Sequence, residues 1–206
     1  MTRLVRVLKS RLRGIGIDYP YILYLGTLEP RKNVERLIEA FIQLKKKQIN
    51  EKLLISGIKG WDYQSIFDKV ASLGVEKEII FSGFIPNELI PFLYNGASAF
   101  VYPSLYEGFG LPVLEAMACG VPVVTSNVSS LPEVAGDAAI LINPYSVDEL
   151  ADGIWRILSD EELRNQCIEK GIERAKSFTW ERCAMETMKA FNEVCNTDAF
   201  LSRQMK

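Results

Sequence analysis

From Tyr21 onward the chain alternates short apolar, β-rich runs with amphipathic stretches of about a dozen residues, and this constrains the fold more than any other feature. YILYLG (21–26) is aromatic and β-branched and ends on Gly26. In the stretch that follows, Val34, Leu37, Ile38, Phe41 and Ile42 recur at helical spacing, which predicts a helix with one buried stripe and Asn33 as its N-cap. KLLIS (52–56) predicts a second strand closed by Gly57, and a helix around Asp62–Leu73 leads to EIIFSG (78–83). A short helix after Pro86–Asn87, the strand SAFVYPS (98–104), the helix LPVLEAMACG ending on Gly120, and the strands VPVVTS and AAILIN (138–143) complete the pattern. Nearly continuous apolar strands separated by helices require a parallel sheet covered on both faces. The fold class is therefore α/β, a doubly wound, Rossmann-like parallel sheet.

From Ser146 the alternation stops and helices follow in series. SVDE (146–149) and SDEE (159–162) both read as capping boxes, in which a serine caps the helix and a glutamate three residues on reaches back. A last helix is expected from about Thr179 to Val194, with Ala184, Met188, Phe191 and Val194 available for one face. The expected organisation is a basic stub over residues 1–20, one domain with C-terminal helices over 21–195, and a tail over 196–206.

Composition removes whole classes of chemistry. There is no histidine, which excludes Ser-His-Asp and Cys-His mechanisms and every His-ligated metal site within this sequence. Hydrophobic residues at 48% and charged residues at 24% are the balance of a soluble globular chain, and no apolar run approaches the ~18 residues of a membrane span. Four cysteines (Cys119, Cys167, Cys183, Cys195) without CxxC spacing, after a start with no signal-peptide pattern, read as buried, reduced thiols in a cytoplasmic protein. Residues 1–17 carry Arg3, Arg6, Lys9, Arg11 and Arg13 and no acid, leaving 19 basic against 26 acidic residues in the rest. An acidic body argues against nucleic acid as a partner.

In an open parallel sheet, ligands bind beyond the carboxyl ends of the strands, so the strand-to-helix loops carry the functional reading. In GTLEPRKN (26–33), Arg31 and Lys32 stand just ahead of a helix N-terminus that already disfavours cations, as expected if an anion sits there. The alternative is two solvated surface cations. In YPSLYEGFGLPVLEA (102–116), Gly108 and Gly110 precede a helix with Pro112 near its start, which describes a phosphate cradle that is neither GxGxxG nor GxxxxGK. Glu107 and Glu115 bracket that cradle. Glu115, on a helix that is apolar nearly all round, is a candidate acceptor for paired ribose hydroxyls, against the plainer reading of a solvated helix glutamate. The turn FSGFIPNEL (81–89) could present backbone groups to a flat base.

With GTLEPRKN, SGFIP, EGFGLPVLEA, GVPVVTS and LPEVAGDAA in this order, the chain resembles the donor-binding half of a family 4 glycosyltransferase, a retaining enzyme of the GT-B fold. The resemblance spans about Tyr21 to Val194, and its most specific element is the glutamate pair Glu107 and Glu115, seven residues between them. It implies a hexosyltransferase that uses a nucleotide-diphosphate sugar, with no metal and no cofactor. Arg31 and Lys32, with the backbone of Phe109, Gly110 and Leu111, are implied to hold the diphosphate, and Gly26 to lie beside it. Glu115 is implied at the ribose, Glu107 at the sugar ring near the anomeric carbon, and Gly83, Phe84 and Ile85 at the base. The acceptor is expected to be a saccharide or a lipid-linked saccharide. LPEVAGDAA in particular resembles mannosyl- and related transferases of surface polysaccharide assembly. Base, sugar and acceptor remain open at this point.

Complete members of that family carry an N-terminal acceptor domain that holds a catalytic histidine, and about 20 residues before the first strand are too few for a domain. The expectations are a fragment or truncated product, one subunit of a two-chain transferase completed by a separate acceptor-domain chain, or a noncatalytic nucleotide-sugar-binding or interaction module. A GT-B epimerase or phosphorylase half is a further reading. The stub MTRLVRVLKSRLRG places Leu4, Leu8 and Leu12 at helical spacing, either as a connector or as a helix lying on the inner face of an anionic membrane. Trp155 and Trp180 are expected to pack the tail helices, and Trp61 has a possible place at the ligand crevice.

Overall fold

The structure, a computed structural model, describes residues 3–204, and the side chains of residues 7, 8 and 10–195. The chain divides into two compact units, Met1–Ala175 and Lys176–Lys206. In the first, helix α1 (Arg3–Gly14) precedes β1 (Tyr21–Leu25), α2 (Val34–Lys46), β2 (Lys52–Ser56), α3 (Gln64–Leu73), β3 (Ile79–Gly83), α4 (Ile90–Gly96) and β4 (Ala99–Tyr102). There follow α5 (Leu111–Ala118), β5 (Val123–Ser126), α6 (Leu131–Ala135), β6 (Ala139–Ile142), α7 (Val147–Ser159) and α8 (Glu161–Lys176). The six strands form one sheet in the order β3-β2-β1-β4-β5-β6, with every pair parallel. This is the doubly wound arrangement that the sequence pattern predicts.

The buried stripe of α2 is the expected one: Val34, Leu37, Ile38, Phe41 and Leu44 are buried, while Ile42 sits at its margin. α2 packs with α3 and α7, and α4 packs with α1 and α5, so helices flank the sheet in two groups. Tyr21, Tyr24, Phe100 and Tyr102 are fully buried in the two central strands, where Tyr24 and Phe100 each stack on Tyr102. Gly153 of α7 lets the helix approach β5 and β6 closely; a Cβ there would lie 3.0 Å from Ile142 Cγ2 and 3.3 Å from Val124 Cγ1.

Several local expectations change. Asn33 does not cap α2 with its side chain; its backbone is left-handed (φ 60°) and its Nδ2 donates to the carbonyls of Pro103 (3.0 Å) and Pro144 (2.7 Å). Ser146 does cap α7 by accepting from the Glu149 amide at 3.2 Å, but the Glu149 carboxylate accepts from the Asn143 amide instead of completing the box. At α8 the cap is Asp160, whose Oδ1 accepts from the Leu163 amide at 2.9 Å; Ser159 still belongs to α7 and donates back to Trp155. Leu12 of α1 is buried, and a Cβ on Gly96 of α4 would meet its Cδ1 at 2.5 Å. Arg11 lies over the Phe92 ring of the same helix α4. That end of the leucine spacing thus faces the fold, and the side chain of Leu4 lies outside the described residues.

The second unit is the helix α9 (Trp180–Gln204), longer than the spacing of its apolar residues suggests. Trp180, Ala184, Met188, Phe191 and Val194 are exposed, so Trp180 does not pack as expected. Trp155 is half-buried on α7, with the Lys47 ammonium 4.6 Å from its ring centre. Only Cys167 of the four thiols is buried; Cys183 and Cys195 are exposed and Cys119 is intermediate. Among the described residues no helix is long and apolar enough to cross a membrane.

Candidate functional site

The strand order reverses between β1 and β4, and a crevice opens at such a point beyond the carboxyl ends of the two strands. The loops leaving these strands are the two that the sequence singles out. They are stitched together by backbone and side chain: the Leu105 amide donates to the Arg31 carbonyl at 2.8 Å, and Asn33 reaches Pro103. A short 3-10 turn over Pro30–Lys32 aims Arg31 and Lys32 at the second loop.

Both cations meet Glu107. Lys32, only 7% exposed, donates from Nζ to Glu107 Oε1 and to the Tyr102 hydroxyl, each at 2.6 Å. Arg31 Nη1 lies 3.0 Å from Glu107 Oε2 and donates to the Tyr106 carbonyl at 2.9 Å, while Nη2 pairs with Glu29 Oε1 at 2.7 Å. Two cations and two carboxylates thus balance in one cluster. Burial pushes the Glu107 carboxyl up, but the hydrogen bond and the charge of Lys32, with the other polar groups around it, outweigh it and hold the group below the usual glutamate value. Glu107 is therefore ionised at neutral pH. Burial and the neighbouring Glu107 charge raise Tyr102, which stays a neutral phenol.

The backbone of the same loop is held by the loop between β5 and α6. The Ser129 hydroxyl accepts from the Glu107 amide at 3.1 Å and donates to the Glu107 carbonyl at 2.5 Å. The Ser130 hydroxyl lies 3.0 Å from the Glu107 carbonyl and 2.7 Å from that of Phe109. Ser129 adopts φ 60°, a conformation uncommon for serine. The sequence reading missed both serines; the signal was a polar Ser-Ser pair in the loop between β5 and α6.

At the cradle, Gly110 has φ 111° and is buried, and a Cβ there would lie 2.7 Å from Leu131 Cδ2. Gly110 thus serves both the turn and the contact with α6, whereas Gly108 faces open space. Phe109 and Leu111 are exposed at the start of α5, where the helix dipole is positive. α5 is apolar apart from Glu115, as the sequence indicates, but it is not buried all round: Val113, Leu114, Ala116 and Met117 are buried, while Leu111, Glu115 and Ala118 share the exposed face. Glu115 accepts a hydrogen bond from the buried Tyr94 hydroxyl at 3.1 Å.

Gly26 opens the first loop under tight constraint. Its own Cβ would stand 2.9 Å from the Tyr24 hydroxyl, and a Cβ on Gly57 would overlap its carbonyl at 1.9 Å. The third loop stands apart from the charge cluster, since β3 lies two strands from β1. It is linked through Gly57, whose amide donates to the Gly83 carbonyl at 3.0 Å. Gly83 has φ 68°, Phe84 is 70% exposed and Ile85 is half-buried. Trp61 is 66% exposed beyond β2. Among the described residues no group of three or more acidic or cysteine side chains is placed to hold a metal ion.

Comparison with known proteins agrees with this architecture. The chain is 45% identical over 172 residues to the O-antigen chain mannosyltransferase B of Escherichia coli, covering 83% of this chain and 45% of that protein. It therefore spans less than half the length of that curated relative. Among solved structures, sucrose-phosphate synthase from Thermosynechococcus elongatus matches with a TM-score of 0.79 at 29% identity, over 91% of this chain and 49% of that one. The C-terminal domain of a group 1 glycosyl transferase from Francisella tularensis matches with a TM-score of 0.72 at 29% identity, over 82% of this chain and 91% of that one. The family model described as glycosyl transferases group 1 matches residues 11–174, which hold all six strands and every site residue described above, and the chain belongs to that family.

Proposed function

We propose that this chain is the donor-binding half of a retaining, metal-independent glycosyltransferase that moves a hexose from a nucleotide-diphosphate sugar to a saccharide or lipid-linked acceptor. The observation that carries the reading is the cluster of Arg31, Lys32 and Glu107 at the β1–β4 switch point, beside the N-terminus of α5. Mannose is the first sugar to test, because the relative from Escherichia coli is named a mannosyltransferase. An acceptor-binding domain, within a longer chain or as a separate subunit, completes the enzyme in this proposal.

In this reading each residue takes the role that the family resemblance implies, and its surroundings support that role. Arg31, whose side chain keeps an exposed edge, and Lys32 behind it neutralise the departing diphosphate together with the dipole of α5. The backbone of Phe109, Gly110 and Leu111 holds the same phosphates, and Gly26 leaves room beside them. Glu107, ionised and fixed on both its side chain and its backbone, faces the anomeric carbon and stabilises the oxocarbenium character that builds there. Glu115 accepts from the ribose hydroxyls, and Gly83, Phe84 and Ile85 meet the base. Two positive side chains and a helix end take the part that a divalent cation plays in other transferases.

The test is calorimetric titration of the purified chain with UDP, GDP and ADP, with and without EDTA, repeated on Glu115→Ala. Binding of one nucleotide, indifferent to EDTA and weakened in the variant, is expected. Binding that requires added magnesium or manganese, or no binding of any of the three, overturns the reading.

A further inference from the structure

Glu115 is exposed, on the outward face of a helix whose other sides are buried, and among the described residues no cation pairs with it. A glutamate in that setting samples several rotamers and presents no fixed direction to a ligand. Here one side chain removes that freedom. Tyr94 of α4 is buried at 1% exposure, and its hydroxyl donates to Glu115 Oε2 at 3.1 Å. The Tyr94 ring is itself fixed, packed edge-on against Phe100 of β4 with centroids 5.2 Å apart. The turn that carries it is pinned as well, since the buried Tyr21 hydroxyl of β1 donates to the neighbouring Leu93 carbonyl at 2.7 Å. Burial and the Glu115 charge raise the Tyr94 phenol, so it remains a donor throughout the neutral range.

We infer that Tyr94 is a positioning residue that orients Glu115 for the vicinal hydroxyls of the donor's ribose, and so sets the preference for a ribonucleotide over its deoxy counterpart. The inference rests on the proposed role of Glu115 at the ribose. Its chemistry is a matter of counting acceptor sites. A carboxylate offers about four lone-pair directions. The Tyr94 proton takes one on Oε2, which fixes the plane of the group and leaves the remaining directions for two hydroxyl donors. Without the phenol the carboxylate keeps its acceptor capacity but loses its orientation, and the cost falls only on a ligand that has both hydroxyls.

The experiment is calorimetry on the full chain and on Tyr94→Phe, Glu115→Ala and the double variant, each titrated with UDP, GDP and ADP and with the 2′,3′-dideoxy form of each. The parent is expected to favour the ribonucleotide. Tyr94→Phe is expected to lose about fivefold for it, the scale of one hydrogen bond, and nothing for the dideoxy form. Glu115→Ala is expected to abolish the discrimination, and adding Tyr94→Phe to it to change nothing more. Equal loss for both ligands in Tyr94→Phe overturns the inference and leaves Tyr94 as packing, while the donor-site reading stands. A parent that binds both forms equally overturns the role of Glu115 and this inference with it. A parent that binds none of the nucleotides overturns the donor-site reading itself.

Discussion

Glu107 and Glu115 belong to one short stretch of sequence and carry the same side chain, yet the fold gives them opposite environments. Glu107 lies in the loop after β4 at 9% exposure, with Lys32 and Arg31 on its carboxylate and two serine hydroxyls on its backbone. Glu115 stands on the open face of α5, and among the described residues its side-chain partner is the Tyr94 hydroxyl. One is fixed by charge and burial, the other by one directed hydrogen bond. A reactive centre gains from the first arrangement, because its electrostatics are set before any ligand arrives. A group that must reach hydroxyl donors gains from the second, because most of its acceptor capacity stays open.

The same substitution at both positions is the most direct way to break this contrast. Glu107→Gln is expected to destabilise the fold by about 3–5 kcal/mol, because it leaves the buried Lys32 ammonium without its counter-charge. Urea unfolding at neutral pH measures it, and a loss below about 1 kcal/mol would place Glu107 among ordinary surface acids. The next effect is in pH. The Glu107 carboxyl is held below its usual value in the native state, so its contribution is complete above the ordinary glutamate pKa of about 4.3 and is lost as pH falls through the lower native value. The urea midpoint of Glu107→Gln should therefore fall less steeply than the parent's on acidification below about pH 4.3, and parallel curves would refute the shift.

Ser130→Ala sharpens the comparison on the backbone side. It removes a hydroxyl within reach of the Glu107 and Phe109 carbonyls and should cost about 1 kcal/mol in the same assay. The smallest effect is Glu115→Gln, which keeps an acceptor for Tyr94 and should change stability by no more than about 0.5 kcal/mol, the range of exposed substitutions. A large loss there would mean that the open face of α5 is covered.

Much of the architecture was legible along the chain because it is local. The stripe Val34, Leu37, Ile38, Phe41 needs only helical periodicity to be read, and the strands YILYL and KLLIS announce themselves by composition and the glycines that follow. The choice of Arg31, Lys32, Glu107 and Glu115 as candidates came from their positions relative to strand ends and helix starts. Asn33 shows where that reading stops. Its side chain suits a cap, but carbonyls 70 and 111 residues away compete for it and win. Tyr94, Tyr102, Ser129 and Ser130 escaped notice for the same reason: each acts on a group that is remote in sequence, and as isolated letters they look like core or loop.

The sequence alone determined the α/β class, the order of the strands, most of the helices between them and the two loops that could hold an anion, since periodicity, glycine placement and residue type act within a few positions; the short helix α6 was not among them. Only the tertiary structure decided that both cations converge on Glu107 and that Glu115 has a donor behind it. Those outcomes depend on β1 and β4 lying side by side and on α4 packing against α5, and on the burial that gives a buried ion pair or a single hydroxyl its weight.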